Sequence, residues 1–154
     1  MAQFLREEEF PPDDKVPWEV ATVEVAKEQW ITKFDGSSTT NLGGTGVVLY
    51  HNGEEAVALS FKLEFSCSKN NAEYEAYLMG LATTHEIGIK HLTVIGDSNL
   101  VVYQAKGSFS LKEPSLAPYR TSAQRMEEKF CTFVIKHTQR SENRYADALA
   151  ALGS

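Results

Sequence analysis

The sequence predicts an α/β domain built on a mixed five-stranded sheet, three antiparallel strands followed by parallel additions, with helices on both faces. Three observations predict it. Short apolar runs separated by Gly-containing turns fill residues 30–61, a long stretch of helical periodicity follows, and strand then alternates with helix towards the C-terminus.

Trp30 to Phe34 reads as a strand ending at Asp35-Gly36, and Thr45 to Tyr50 as the next, with Gly43-Gly44 between them. His51-Asn52-Gly53-Glu54 is an Asn-Gly turn, and Glu55 to Phe61 alternates as a third strand, which completes an antiparallel meander. Lys69 to Ile87 carries small and apolar residues at helical spacing, with Ser68 placed to cap it and Gly88 to stop it. His91 to Ile95 is a short strand running into Gly96-Asp97-Ser98, followed by a helix over about Asn99 to Ala105. That order places Asp97 at a carboxyl edge of the sheet. Gly107 to Pro114 is a loop, Pro118 opens or kinks a helix reaching Lys129 or Phe130, and Cys131 to Lys136 is the last strand. Ser141-Glu142-Asn143 stands where a cap belongs, before a C-terminal helix with Ala146, Leu149 and Ala150.

At 154 residues the chain has room for one domain with a real core, and its 42% hydrophobic and 23% charged content is ordinary for a soluble globular protein. Residues 1–28, charged and punctuated by Pro11, Pro12 and Pro17, read as an acidic linker or N-terminal arm, and residues 29–152 as the domain. No apolar run is long enough to span a membrane and no signal-peptide core opens the chain, so an intracellular protein, cytoplasmic or nuclear, is expected. Cys67 and Cys131 read as reduced residues in or near the core. The net charge of −6 and the scattered basic residues predict weak intrinsic affinity for a polyanion, the densest basic group being Lys136, His137, Arg140 and Arg144.

Four acids, Asp35, Glu73, Asp97 and Asp147, are far apart in sequence yet fall at element ends or on helix faces that such a sheet can gather. Each has an ordinary alternative. Glu73 and Asp97 near helix starts would favour the helix dipole, and Asp147 could pair with Arg144 one turn back. Asp147 is the hardest to dismiss, because it lies beside the Ala-rich apolar stripe of the last helix, where an unpaired carboxylate is costly. Together the four suit a pair of Mg²⁺ ions about 4 Å apart, which need carboxylate oxygens and little else. Zinc-finger spacing of His and Cys does not occur.

The segments Asp35-Gly-Ser-Ser38, Asn70-Asn-Ala-Glu73-Tyr-Glu-Ala-Tyr77, Gly96-Asp97-Ser98 and His137-Thr-Gln-Arg-Ser-Glu-Asn143-Arg-Tyr-Ala-Asp147, in this order, resemble type 1 ribonuclease H over about residues 29–152. The likeness is greatest to the ribonuclease H domain of plant gypsy-class retrotransposon polyproteins, where that domain follows a reverse transcriptase. The resemblance implies a ribonuclease H-like fold and an endonuclease cutting the RNA strand of RNA/DNA hybrids, with 5′-phosphate and 3′-hydroxyl ends. It implies two Mg²⁺ ions, with Mn²⁺ as a substitute, held by Asp35, Glu73, Asp97 and Asp147. Asp35 would bridge both ions, Glu73 and Asp97 would hold the one near the scissile 3′ side, and Asp147 the one that carries the attacking water. Glu75, two residues beyond Glu73, is the rival ligand.

His137, ten residues before Asp147, matches the family's catalytic-loop histidine, a residue type suited to proton transfer; it could equally just end a strand. Asn70 resembles the asparagine that touches substrate near the minor groove, and Gly36, Ser37, Ser98, Arg140 and Asn143 are further substrate-binding candidates. Lys69 stands where retrotransposon relatives often have another asparagine. The stretch from Lys106 to Lys129 is no basic arm of the bacterial kind, so grip on substrate would depend on a fused or associated reverse transcriptase, the isolated chain being a monomer. The competing reading is a catalytically weak nucleic-acid-binding or structural module of the same fold. Phe109 is the exposed candidate for a partner surface, whereas Tyr74 and Tyr77 read as core packing.

Overall fold

The computed structural model describes residues 28–39, 42–65, 67–107 and 114–154. The meander consists of β1 (Trp30–Ser38), β2 (Gly43–His51) and β3 (Glu54–Leu63). It is followed by α1 (Lys69–Ile87), β4 (His91–Gly96), α2 (Asn99–Ala105), α3 (Ala117–Glu127), β5 (Thr132–His137) and α4 (Arg144–Gly153). Single 3-10 turns at Pro114–Leu116 and Arg140–Glu142 lead into α3 and α4. The expected arm over residues 1–28 and Phe109 lie outside the described residues, save Glu28.

The strands lie in the order β3-β2-β1-β4-β5. Central β1 is antiparallel to β2 and parallel to β4, and β4 is parallel to β5, so the sheet is mixed as expected. Asn52 and Gly53 both take positive φ, 52° and 88°, which matches a two-residue hairpin to the right-handed twist of the strands it joins. One boundary differs in a way that matters for the site. The first strand does not end at Asp35-Gly36; it continues to Ser38, because Asp35 to Ser38 pair with Gly46 to Gly43 of β2. Ladder hydrogen bonds to a neighbouring strand outweigh the weak strand preference of Asp-Gly-Ser-Ser.

Alternation along β2 sorts the helices onto two faces. Thr45 and Val47 point to α1, with the Thr45 hydroxyl donating to Met79 Sδ at 3.4 Å. Gly44 and Gly46 point to α4, whose backbone comes so near that a Cβ on Gly46 would stand 2.2 Å from the Ala146 carbonyl oxygen. The main core lies between the sheet and α1 to α3, where Phe34, Tyr74, Tyr77, Leu81 and Val102 are buried. Tyr77 packs against Phe34 at 5.2 Å between centroids and donates to Glu127 at 2.5 Å. Arg120, also on α3, donates to the same carboxylate at 2.7 Å, so the Tyr77 hydrogen bond to it ties α1 to α3. Tyr74 stacks on Tyr119 and donates to the Gln104 side chain. Both tyrosines are thus packing residues, as their spacing implied.

Both cysteines are free. Cys67 is half-buried, but Cys131 is exposed, because it precedes an edge strand and only its backbone N–H turns inward, donating to Lys90 O. Among the described residues no helix is long and apolar enough to cross a membrane.

Candidate active site

Sheet register brings the first two acids together. Phe34 of β1 stands opposite Gly96 of β4 in the parallel ladder, so Asp35 and Asp97, the next residue in each segment, are neighbours. Glu73 comes down from α1 above them. Ligand-competent oxygens of Asp35, Glu73 and Asp97 all lie within 4.8 Å of one another. Asp35 and Glu73 are 0% and 3% exposed, while Asp97 is half-buried.

Gly36 makes this proximity possible. A Cβ there would meet the Ala72 carbonyl carbon at 2.3 Å, so only glycine lets α1 settle on β1 at this point. The bare Gly36 N–H then donates to Glu73 Oε1 at 2.7 Å and fixes that carboxylate beside Asp35. Asp35 itself has no hydrogen-bond partner on either buried oxygen. Burial, the charge of Glu73 and then that of Asp97 push its carboxyl up from 3.8 to about 9. Glu73 is also raised, mainly by burial, against the opposing pull of Lys69 and its hydrogen bonds. Buried carboxylate oxygens without donors are expensive to maintain. An all-oxygen set with free lone pairs converging on one space is what a hard divalent cation takes as ligands, so these residues fit such an ion.

Lys69 opens α1 and reaches back over the cluster. Its ammonium lies 3.7 Å from Glu73 Oε2 and 3.9 Å from Asp35 Oδ1, and it donates to the Gly36 carbonyl. Glu75, the rival to Glu73, faces elsewhere and accepts a 2.7 Å hydrogen bond from the Tyr119 hydroxyl.

Asp147 is not one of the three converging acids. It sits half-buried in the first turn of α4, its N–H bonded to Asn143 O, and among the described residues it makes no ion pair with Arg144. Asn143 anchors that helix start to the cluster. Its buried amide donates to Phe34 O at 2.9 Å and to Asp97 Oδ2 at 3.3 Å, so it spans β1, the end of β4 and α4. It occupies the cap position without making a side-chain cap bond. His137 ends β5 opposite Gly96, exposed, with its ring 5.9 Å from that of Tyr103. The remaining substrate candidates are spread around this edge. Ser98 caps α2, its hydroxyl accepting from Val101 N at 3.2 Å, and Ser37 lies 3.4 Å from the Ser154 hydroxyl. Asn70 is half-buried at the start of α1, and Arg140 is exposed at the turn into α4.

Two features escaped the sequence reading. The spacing of Lys69 and Glu73, one helical turn, was the available sign of their pairing. Nothing local marks Asn143 as a tie between segments, since its partners are 109 and 46 residues away.

The sheet order, the helices on its two faces and the acidic cluster define a ribonuclease H1-like α/β domain. Solved structures of that kind superpose well. Ribonuclease H1 of the archaeon Halobacterium salinarum matches with TM-score 0.78 at 29% identity, over 81% of this chain and 96% of that one. The N-terminal ribonuclease H domain of a Mycobacterium tuberculosis protein gives 0.77 at 27% identity, over 82% and 94%. A compost-derived ribonuclease H1 solved with an RNA/DNA hybrid gives 0.75 at 28%, over 80% and 95%. The chain belongs to the reverse transcriptase-like family, whose model matches residues 33–153. Among relatives in sequence, ribonuclease HI of Halobacterium salinarum is 33% identical over 76% of this chain. An uncharacterized Mycobacterium bovis protein is 32% identical over 78%. The chain spans 60% of the length of the first and 34% of the second.

Proposed function

We propose that this chain is a metal-dependent endonuclease that hydrolyses the RNA strand of RNA/DNA hybrids, leaving 5′-phosphate and 3′-hydroxyl ends. The observation that carries this reading is the pair of buried, donor-free oxygens on Asp35, within 4.8 Å of ligand oxygens on Glu73 and Asp97. Asp35, Glu73 and Asp97 would hold Mg²⁺, or Mn²⁺ in its place, and Asp147 at the start of α4 would complete the set for a second ion. Bound divalent ions supply an activated water and offset charge on the departing oxygen. Gly36 holds Glu73 in place through its N–H, and Asn143 holds Asp97. His137, exposed at the end of β5, would move a proton or help product leave. Asn70, Ser37 and Arg140 would contact the sugar-phosphate backbone, with Gly36, Ser98 and Asn143 as further contacts. Selection of hybrid over duplex DNA would come from 2′-hydroxyl contacts and groove shape.

The family description supports a reverse transcriptase, fused or associated, as the partner. The fold is also shared with a foamy virus protease–reverse transcriptase, at TM-score 0.65 and 19% identity. A second reading, a catalytically weak module, is favoured by one observation: the Lys69 ammonium lies within 4 Å of two of the acids.

Labelled RNA/DNA hybrid, duplex RNA and duplex DNA, incubated with graded Mg²⁺, decide between them. Wild type is expected to cut only the RNA of the hybrid, and Asp35→Asn to lower that rate about a thousandfold or more. His137→Ala should cost clearly less than Asp35→Asn. Wild type that binds hybrid yet cuts nothing at any Mg²⁺ concentration would establish the weak module instead.

A further inference from the structure

Lys69 has the geometry of a cation built into the site. It is the first residue of α1, held there by Ser68, whose hydroxyl accepts from Asn71 N at 3.1 Å. Helical side chains lean towards the N-terminus, and this one leans over the carboxylates, with its ammonium 3.7 Å from Glu73 and 3.9 Å from Asp35. Among the described residues no other cationic side chain comes within 4.0 Å of Asp35, Glu73 or Asp97. The contact with Asp35 is longer than a hydrogen bond, so its attraction is that of charge. Equally important, the side chain is 44% exposed. It is held by the cluster on one side and open to solvent on the other, so its stem can swing out without moving either α1 or β1.

We propose that Lys69 is a tethered countercation of this site: it balances the net negative charge of the Asp35–Glu73 pair until a divalent ion arrives, must swing into solvent as the ion binds, and so sets the metal concentration the site requires. The inference rests on the metal-binding reading of the cluster and adds to it a residue that tunes occupancy. An ammonium 3.7 and 3.9 Å from oxygens that would hold a doubly charged ion repels that ion, and a lysine that has to leave surrenders its own attraction to the acids. Both effects weaken metal binding. Lys69 is therefore a positioning residue, acting on the metal through the carboxylates.

Calorimetric titration of the full chain with Mn²⁺ tests this without reference to cleavage. Lys69→Gln is expected to lower the Mn²⁺ dissociation constant about tenfold, while Lys69→Arg, which keeps the charge, should stay near wild type. Lys69→Met repeats the first measurement with another neutral side chain, and Lys90→Gln, removing a lysine remote from the cluster, should leave binding unchanged. In chelator, Lys69→Gln should melt below wild type, and saturating Mn²⁺ should close or reverse that gap. Binding by Lys69→Gln and Lys69→Met no tighter than wild type, with Asp35→Asn abolishing it, would overturn the inference and leave the metal site standing. Undiminished Mn²⁺ binding by Asp35→Asn would overturn both.

Discussion

Asp35 carries an acid–base consequence that can be measured without any substrate. Its carboxyl, pushed from 3.8 to about 9 by burial and by Glu73 and Asp97, holds a proton in the folded chain that the unfolded chain has already released over that interval. The folded state then binds more protons, so this contribution to stability is complete below about pH 4 and is lost as pH rises towards about 9. In chelator, the unfolding free energy of wild type should decline with pH relative to Asp35→Asn across that window. Denaturant titrations giving parallel pH profiles for the two proteins would refute it. Convergence of Asp35, Glu73 and Asp97 was legible in their spacing, because each stands at a fixed place in a familiar element order. What the residues around them do was not. The reach of Lys69 depends on side-chain direction, and the double contact of Asn143 depends on strands that meet only in the folded sheet.

At the level of elements, the last helix is held by closeness of backbones. Gly44 and Gly46 of β2 leave room for Ala146 and Ala150 of α4, and a Cβ on Gly46 would lie 2.2 Å from a main-chain oxygen that cannot turn aside. Gly46→Ala should therefore destabilise the fold by about 2–3 kcal/mol, read as a lowered urea midpoint at unchanged slope. Because Asn143 stands at the cap position of α4 and Asp147 in its first turn, the proposed hybrid cleavage should fall with it. A variant as stable as wild type would mean that α4 can shift at no expense. The limits of α1 were well marked in the sequence, since Ser68 and Gly88 bound it by cap chemistry that needs no tertiary partner, whereas the helix expected to reach Lys129 or Phe130 stops at Glu127. The end of β1 was hidden for the opposite reason. Gly-Ser-Ser looks like a terminator, and only pairing with Gly43 to Gly46 extends the strand.

Across the whole molecule, charge and catalysis pull in different directions. In the proposed role a chain of net charge −6 would have to approach a polyanion, and its basic residues are dispersed rather than gathered on a helical arm. Anisotropy with labelled hybrid and the inactive Asp35→Asn chain should give weak binding, with a log–log salt slope shallower than about −4. A steeper slope would reveal a concentrated phosphate-binding face. The charge balance and its scatter could be read directly from the sequence, whereas the parallel seam between β1 and β4 was visible only as an order of elements. That seam has a consequence for biosynthesis. Asp35 and Glu73 emerge from the ribosome well before Asp97, and they acquire their third partner only when β4 docks beside β1 with Phe34 opposite Gly96. A nascent or prematurely terminated chain, or one whose strand docks a residue out of step, holds an incomplete set of acids, so correct assembly is what completes the cluster.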